Sequence, residues 1–179
     1  MRLALLLSLC LAVTSASAQT LWSGLHFGQS RDAVQAQLTN QNLPIESTAN
    51  GSLQTNSDYP LPLPGLQYPI PMMVTFHFDT NSHLVDIALS LDLPAMRHDW
   101  AAVGTDEALY NFAADKLSFA LAGNYGAPTF SSPACNVASE LLTTPCTIQW
   151  RTSNQVIQLE RIPTGRHLRI EYLPPAAAL

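Results

Sequence analysis

Strict alternation of apolar and polar residues constrains the fold of this chain more than any other feature of the sequence. The clearest case runs from Met72 to Leu93, where two alternating runs flank Asp79-Thr80-Asn81-Ser82. A period of two places the apolar side chains of a strand on one face, and a polar tetrapeptide of this kind is typical of a turn. The segment therefore predicts an antiparallel hairpin. A turn centred on the tetrapeptide sets Phe76 opposite Val85, so that the apolar faces of both strands coincide.

The C-terminal third of the chain repeats this alternation in three shorter runs. They extend from Cys146 to Trp150, from Ile157 to Leu159 and from Leu168 to Tyr172, and turn-forming residues separate them. Short alternating runs joined by polar turns are typical of an antiparallel meander. The sequence therefore predicts three consecutive strands in this region.

A first helix is predicted within residues 25–42. Ser30 is a favourable N-cap, and Asp32 places a negative charge at the positive end of the helix dipole. Val34 and Leu38 lie four residues apart and therefore share one face of the helix. Pro44 prevents any continuation of the helix, because proline lacks the backbone donor that the next turn would need.

A second helix is predicted from about Thr105 to Ala122, with Thr105 as its N-cap and Gly123-Asn124 at its end. Lys116 projects within the apolar sector of this helix, and we expect its alkyl stem to pack while the amine reaches water. The residues assigned to the apolar face are Leu109, Phe112, Ala113, Leu117, Phe119, Ala120 and Leu121.

The segment between the first helix and the hairpin has no regular periodicity. Asn50-Gly51 predicts a turn or the tip of a hairpin. Five prolines between Tyr59 and Pro71 exclude a helix, and they exclude a central strand because proline cannot donate to a sheet ladder. Two interpretations remain: a proline-rich ligand for a binding partner, or an ordered edge segment that leads into the sheet. The leucines of the segment favour the edge segment, since they are available for burial.

These elements together predict an α+β fold with two layers, in which two amphipathic helices cover an antiparallel β-sheet. Their order indicates a loose tandem repeat of a helix followed by a meander, with halves at residues 19–93 and 94–175. A single domain over residues 19–175 agrees with the ~100–200 residues of a typical domain. Residues 176–179 are expected to form a frayed tail.

Residues 1–18 have the three parts of a secretory signal peptide: the basic Arg2, an apolar run from Leu3 to Val13, and small residues up to Ala18. Cleavage is predicted after Ala18. The apolar run is too short to cross a membrane, which takes ~20 residues. We therefore expect a periplasmic or secreted protein whose mature chain has no transmembrane segment.

The cysteines of the exported chain predict a disulfide. Of the three cysteines in the chain, Cys10 is removed with the signal peptide, which leaves Cys135 and Cys146. An even pair in an exported protein predicts a disulfide. The alternative, a redox-active site, is disfavoured because the spacing is not C-x-x-C and no basic residue lies close in sequence to lower a thiol pKa.

Charge and motifs argue against nucleic-acid binding and against catalysis. The formal net charge is −5 at pH 7, and the chain has no basic patch for nucleic acid or for anionic membranes. The five histidines show no metal-binding spacing. His77 and His83 flank the hairpin turn on opposite faces of the predicted sheet, and His98-Asp99 is expected to be an exposed loop pair. We expect no enzyme activity, no catalytic residues, no metal site and no cofactor.

Residues 22–34 resemble the opening of small bacterial envelope proteins, which begin with a G-x-S/T helix cap followed by a valine on the helix. The short lipoprotein of the outer-membrane β-barrel assembly machine and the secreted β-lactamase inhibitor proteins share this arrangement. Tyr125-Gly126-Ala127-Pro128 resembles the glycine-x-proline ending of such units. The resemblance implies helices packed on an antiparallel sheet, no cofactor, and function by binding other proteins. No lipid-anchor cysteine is present, and no functional residue of these families can be transferred.

Three functional hypotheses follow from the sequence. We favour a non-catalytic domain that binds another envelope or secreted protein. The first alternative is a carrier of a small apolar ligand, which would need a closed pocket of roughly 300–1,000 Å³. The second is a hydrolase without a recognisable motif, which would need ionisable groups converging in a cleft.

Overall fold

The computed structural model describes residues 24–55, 59–61, 69–100, 104–136 and 145–175. The predicted signal peptide, its cleavage after Ala18 and the C-terminal tail lie outside these residues. The helices are α1 (Arg31–Asn40), α2 (Leu93–Asp99) and α3 (Asp106–Tyr125). The strands are β1 (Ile45–Ser47), β2 (Leu53–Thr55), β3 (Tyr59–Leu61), β4 (Ile70–Phe78), β5 (Leu84–Leu91), β6 (Phe130–Ser131), β7 (Cys146–Arg151), β8 (Val156–Ile162) and β9 (His167–Leu173).

The described strands form a single open antiparallel sheet, so the predicted α+β class is confirmed. Their order is β1-β2-β4-β5-β9-β8-β7-β6. β2 and β3 both pair with β4, β2 through Leu53 and Phe76 and β3 through Tyr59 and Met72. Among the described strands β3 pairs only with β4, which agrees with an edge position for Tyr59–Leu61. The exclusion of a central strand is wrong for Ile70 and Pro71, which begin β4, a strand that also pairs with β5 from Met72 onwards. Residues 62–68 of the proline-rich segment lie outside the described residues.

The two halves of the chain meet at the centre of this sheet. The first half contributes β1, β2, β3, β4 and β5 after α1, and the second contributes β6, β7, β8 and β9 after α3. The last strands of the halves pair with each other, with Ile87 opposite Tyr172 and Leu89 opposite Ile170. Because β5 and β9 are neighbours, residues from both halves share one continuous sheet.

The central hairpin has the predicted strands, but the predicted register is wrong by two residues. Phe76 lies opposite Ile87 instead of Val85. The connection uses residues 79–83, since the Asp79 carboxylate accepts hydrogen bonds from the backbone N–H groups of Asn81 and His83 at 2.9 and 2.8 Å. His77 faces Asp86 and Phe78 faces Leu84, so Val85 is an extra residue in a β-bulge. A shift of two residues keeps the side chains from Asp86 to Leu91 on their predicted faces. Before the bulge the prediction is wrong, because Leu84 takes the core position expected for Val85.

Both predicted helices are present, and both predicted N-caps are confirmed. The Ser30 and Thr105 hydroxyls each accept a hydrogen bond from the backbone N–H three residues later, at 3.3 Å. The predicted end of the second helix is wrong, because α3 continues through Gly123-Asn124 to Tyr125. Gly126, with φ of 81°, provides the left-handed conformation that ends it.

The assignment of Phe119 to the buried face of the second helix is also wrong. Its side chain is 73% exposed. Phe112, one of the other assigned residues, is half-buried and packs against the core. The remaining five assigned positions of α3 are buried as predicted.

The hydrophobic core combines side chains from all three helices with one face of the sheet. Val34 of α1, Met96 of α2 and Leu117 of α3 belong to the same buried cluster as the central strand residues Val74 and Leu89. Complete burial of an aliphatic side chain of this size contributes ~1.5–3 kcal/mol. Apolar contact within this shared cluster therefore contributes to the stability of the fold.

Two hydrogen bonds fix the ends of α3 relative to the C-terminal strands. Near the start of the helix, the Tyr110 hydroxyl donates to the backbone carbonyl of His167 at 3.3 Å. Just beyond its end, the Trp150 indole Nε1–H donates to the carbonyl of Gly126 at 3.0 Å. Buried polar groups of this kind need partners, so these bonds also set the position of the helix along the sheet.

Candidate functional surfaces

The side of the sheet opposite to the core cluster is polar, and we call it the outer face. Its side chains extend over six strands, whose five spacings of about 4.8 Å give a width of ~24 Å. Except for Ala88, which is buried, they are half-buried. We use the name outer face for Gln54, Met73, Thr75, His77, Asp86, Ala88, Ser90, Thr147, Gln149, Gln158, Glu160, Arg169 and Glu171. Glu46, Phe130 and Arg151 continue the same side of the sheet at its margins.

Neighbouring amides and carboxylates are hydrogen-bonded to one another on the part of the outer face formed by β7, β8 and β9. The Gln149 amide donates to Gln158 Oε1 at 2.8 Å, and the Gln158 amide donates to Glu171 Oε2 at 3.4 Å. Arg169 forms an ion pair with the other oxygen of Glu171 at 2.5 Å. These contacts restrict the rotamers of four side chains before any partner binds, which lowers the entropic cost of binding.

Glu160 differs from its neighbours on the outer face. It lies directly opposite Arg169 in the register, but the Arg169 guanidinium contacts Glu171 instead. Within the part of the chain that the structure describes, the Glu160 carboxylate forms no ion pair and no side-chain hydrogen bond. The Arg169 Nε atom is buried and also lacks a partner among the described residues. This point of the outer face therefore retains unused hydrogen-bonding capacity.

His77 and Asp86 form a hydrogen-bonded pair elsewhere on the outer face. His77 Nδ1 lies 2.5 Å from Asp86 Oδ1, and both side chains are partly exposed. A carboxylate bonded to Nδ1 fixes the orientation of an imidazole and leaves Nε2 to interact with other groups. The predicted position of His77 on the polar side of the sheet agrees with the structure.

The positions predicted for two other histidines are wrong. His83 was expected on the apolar face but lies exposed in the hairpin turn, with Nδ1 3.8 Å from an Asp79 carboxylate oxygen. His98-Asp99 was expected in a loop but is in the last turn of α2, where both residues are exposed. Neither pair is enclosed in a cleft.

A second candidate surface is a narrow stripe along α3, formed by Phe112, Lys116, Phe119 and Gly123. These positions follow a spacing of four, three and four residues and so share one side of the helix. Lys116 Nζ lies 5.4 Å from the centroid of the Phe112 ring, which is within the range of a cation–π contact. Trp100, just after α2, packs on the same ring with 4.9 Å between the ring centroids. We call Phe112, Lys116, Phe119 and Gly123 the α3 stripe.

The predicted pair of cysteines has the geometry of a disulfide. The Sγ atoms of Cys135 and Cys146 are 2.12 Å apart, and their Cα atoms are 4.7 Å apart. The bond joins the short 3-10 turn after β6 to the start of β7. The Ser132 hydroxyl supports the same junction by accepting a hydrogen bond from the Thr147 backbone N–H at 3.0 Å.

The shifted pKa values at the start of α3 and at the tyrosines arise from ion pairs and burial within the fold. Two arginines, Arg97 from α2 and Arg166 from the turn before β9, contact the Asp106 carboxylate at the start of α3. The hydrogen bond from Arg97 lowers the pKa of Asp106. Burial raises the pKa of Tyr172 and of Tyr125, whose hydroxyls share a hydrogen bond.

The described residues include no group of three histidine, cysteine or acidic side chains positioned to hold a metal ion. Among the same residues, no helix is both long and apolar enough to span a membrane. The sequence alone identifies neither surface as a binding surface. The polar alternation of β7, β8 and β9 was a usable signal for the outer face, whereas the α3 stripe was hidden by the assignment of Phe119 to the core.

Comparison with known proteins adds no relative to this structural description. The chain matches no protein-family model, no curated protein and no solved structure. The resemblance at residues 22–34 and 125–128 therefore remains an expectation based on those short stretches.

Proposed function

We propose that this protein is a non-catalytic exported domain that binds another envelope or secreted protein through the outer face of its sheet. In this proposal the three helices cover the inner face, which is the side of the sheet that contributes to the core. The outer face is left for the partner. The observation that carries the proposal is the row of interlinked side chains from Gln149 through Gln158 to Glu171. It is polar, half-buried and fixed by its own hydrogen bonds.

The size of the outer face supports a protein partner. A standard protein interface covers ~800 Å² on each partner, and a face six strands wide is large enough to supply that area. The hydrogen-bonded side chains also resemble an interface that is formed before binding, since partners with fixed side chains lose less entropy on association.

The charges of the outer face indicate the chemistry of the partner. The face carries three carboxylates, Asp86, Glu160 and Glu171, against one guanidinium, Arg169. Glu160 has no ionic partner within the described residues. A partner with a lysine or arginine aimed at Glu160 would complete this arrangement, because complementary charges at an interface give specificity and faster association.

A photo-crosslinking amino acid at Gln158 tests this proposal in the cells that export the protein. We expect one discrete adduct with a different polypeptide, and we expect none when the same group replaces Asp32, which is exposed on α1. Glu160→Arg should then weaken binding of the purified partner by at least about tenfold, because charge reversal at a buried contact costs more than 1.4 kcal/mol.

The matched control is Asp99→Arg, which makes the same charge reversal at an exposed residue of α2, outside the sheet. Binding should remain within about twofold for this variant, since a peripheral charge contributes little. Equal crosslinking at positions 158 and 32, or equal binding by the two charge variants, would refute a role for the outer face. Thermal unfolding of each variant separates a loss of binding from a loss of folding.

A further inference from the structure

The α3 stripe is self-complementary when two copies of the helix run in opposite directions. A twofold axis between residues 117 and 118 sets position 116 of one copy opposite position 119 of the other. The same axis sets position 112 opposite position 123. Lys116 therefore meets Phe119, and Phe112 meets Gly123, and each contact occurs twice. Such a reciprocal pattern is the requirement for an isologous dimer interface.

The charge distribution of the stripe favours this pairing. Lys116 already lies over the Phe112 ring of its own helix, at 5.4 Å from the centroid. In the antiparallel pair, its ammonium group would lie between that ring and the exposed Phe119 ring of the second copy. The negative face of an aromatic ring attracts a cation, so the one lysine of this chain is complementary to the stripe on which it lies.

The shape of the stripe favours the same pairing. Gly123 is exposed, and a Cβ atom placed on it would contact nothing within 4 Å. It therefore leaves a gap on the helix surface one turn after Phe119, which is 73% exposed. A glycine within a 20-residue helix lowers helix stability. In a dimer, the gap would lie opposite Phe112 of the second copy. The role of the glycine would then be to leave space for that ring.

We propose that the protein forms an antiparallel homodimer through the α3 stripe. Phe112 is supported from behind by Trp100, which packs on its ring, so the aromatic surface that meets the second copy is held in place. This contact is separate from the outer face of the sheet. A dimer would therefore carry two outer faces, each free for its own partner.

Sedimentation velocity of the whole exported protein, over a range of micromolar concentrations, tests the proposal. We expect a reversible monomer–dimer equilibrium. Phe119→Ala should weaken the dimer by at least about tenfold, as expected for an aromatic residue at the centre of an interface. The control is Glu107→Ala, an exposed residue of the same helix outside the stripe, and it should leave the equilibrium unchanged.

Gly123→Leu separates the interface from folding. Leucine has a higher helix propensity than glycine, so the monomer should unfold at the same or a higher temperature. The dimer should nevertheless weaken by at least tenfold, because leucine fills the gap that receives Phe112. A monomeric wild-type protein at all concentrations would overturn the proposal. So would a Gly123→Leu variant that dimerises as well as the wild type. Neither outcome would affect the outer-face crosslinking result.

Discussion

The tyrosines show how a single buried hydroxyl can set the pH range of folding. Tyr172 is only 4% exposed, lies on the inner face of β9 and shares a hydrogen bond with Tyr125. Burial raises the pKa of both side chains, because the phenolate form loses its hydration. The folded protein therefore holds these protons more tightly than the unfolded chain, in which a tyrosine has a pKa of about 10.

We predict that Tyr172→Phe reduces the loss of stability at alkaline pH. A pKa that is raised in the folded state contributes stability that is complete below the unfolded pKa of about 10 and is lost as pH rises through the folded value. Urea unfolding at pH 8 and pH 11 should show a smaller decrease for the variant than for the wild type. At pH 8 the variant should be less stable by about 1 kcal/mol, because it lacks the hydrogen bond to Tyr125.

Tyr59→Phe is the matched control, since Tyr59 is only half-buried and burial also raises its pKa. Its effect on the alkaline decrease should be smaller than that of Tyr172→Phe. Equal alkaline decreases in the wild type and in Tyr172→Phe would contradict the interpretation that Tyr172 ionisation drives the loss.

At the scale of elements, the shortest strand depends most on covalent support. β6 contains two residues, Phe130 and Ser131, and both are exposed. It borders β7 through hydrogen bonds such as Thr129 N–H to the Gln149 carbonyl at 2.8 Å. The disulfide follows within a few residues. So short a strand buries too little apolar surface to remain in place by itself.

We predict that replacing Cys135 and Cys146 together by serine lowers the free energy of unfolding by about 2–4 kcal/mol, because the cross-link restricts the unfolded chain. Urea denaturation measures this change. Hydrogen exchange should also accelerate at the Thr129 and Ser132 amides, which bond to β7, more than at amides of β5. Unchanged exchange at Thr129 and Ser132 would show that β6 does not need the disulfide.

For the whole molecule, the pairing of β5 with β9 is the contact that joins the two halves. Leu89 is fully buried at this junction, between Val74 on β4 and Ile170 on β9. Helix residues from both halves belong to the same buried cluster. A core that is shared in this way leads us to expect one cooperative unfolding transition, as the predicted single domain requires.

We predict that Leu89→Ala destabilises both halves equally, by about 2–5 kcal/mol, the usual cost of a cavity of this size. Native-state hydrogen exchange should show the same decrease at Val74 in the first half and at Leu159 in the second. Val85→Ala, at the half-buried bulge residue, is the control and should cost less. Retained protection at Leu159 after Leu89→Ala would instead indicate two independently stable halves.

The sequence predicts many residues of the candidate site but not the function of the site. Alternation predicted the strands of β7, β8 and β9, and therefore the polar residues that line the outer face. The link from Gln149 through Gln158 to Glu171 depends on which residues are direct neighbours across three strands. The α3 stripe depends on the position of the helix on the sheet, since Phe119 fits a buried apolar pattern equally well when judged by residue type.

The sequence by itself determined the local structure: the strands and their faces, the caps at Ser30 and Thr105, and the pair of cysteines. These features depend on residues close in sequence, whose preferences persist in any fold. The tertiary structure alone decided the contacts between distant residues: the pairing of β5 with β9, the bulge at Val85, the helix α2 and the exposure of Phe119. Each of these depends on the free energy of packing the whole core, which the residues of one short segment do not determine.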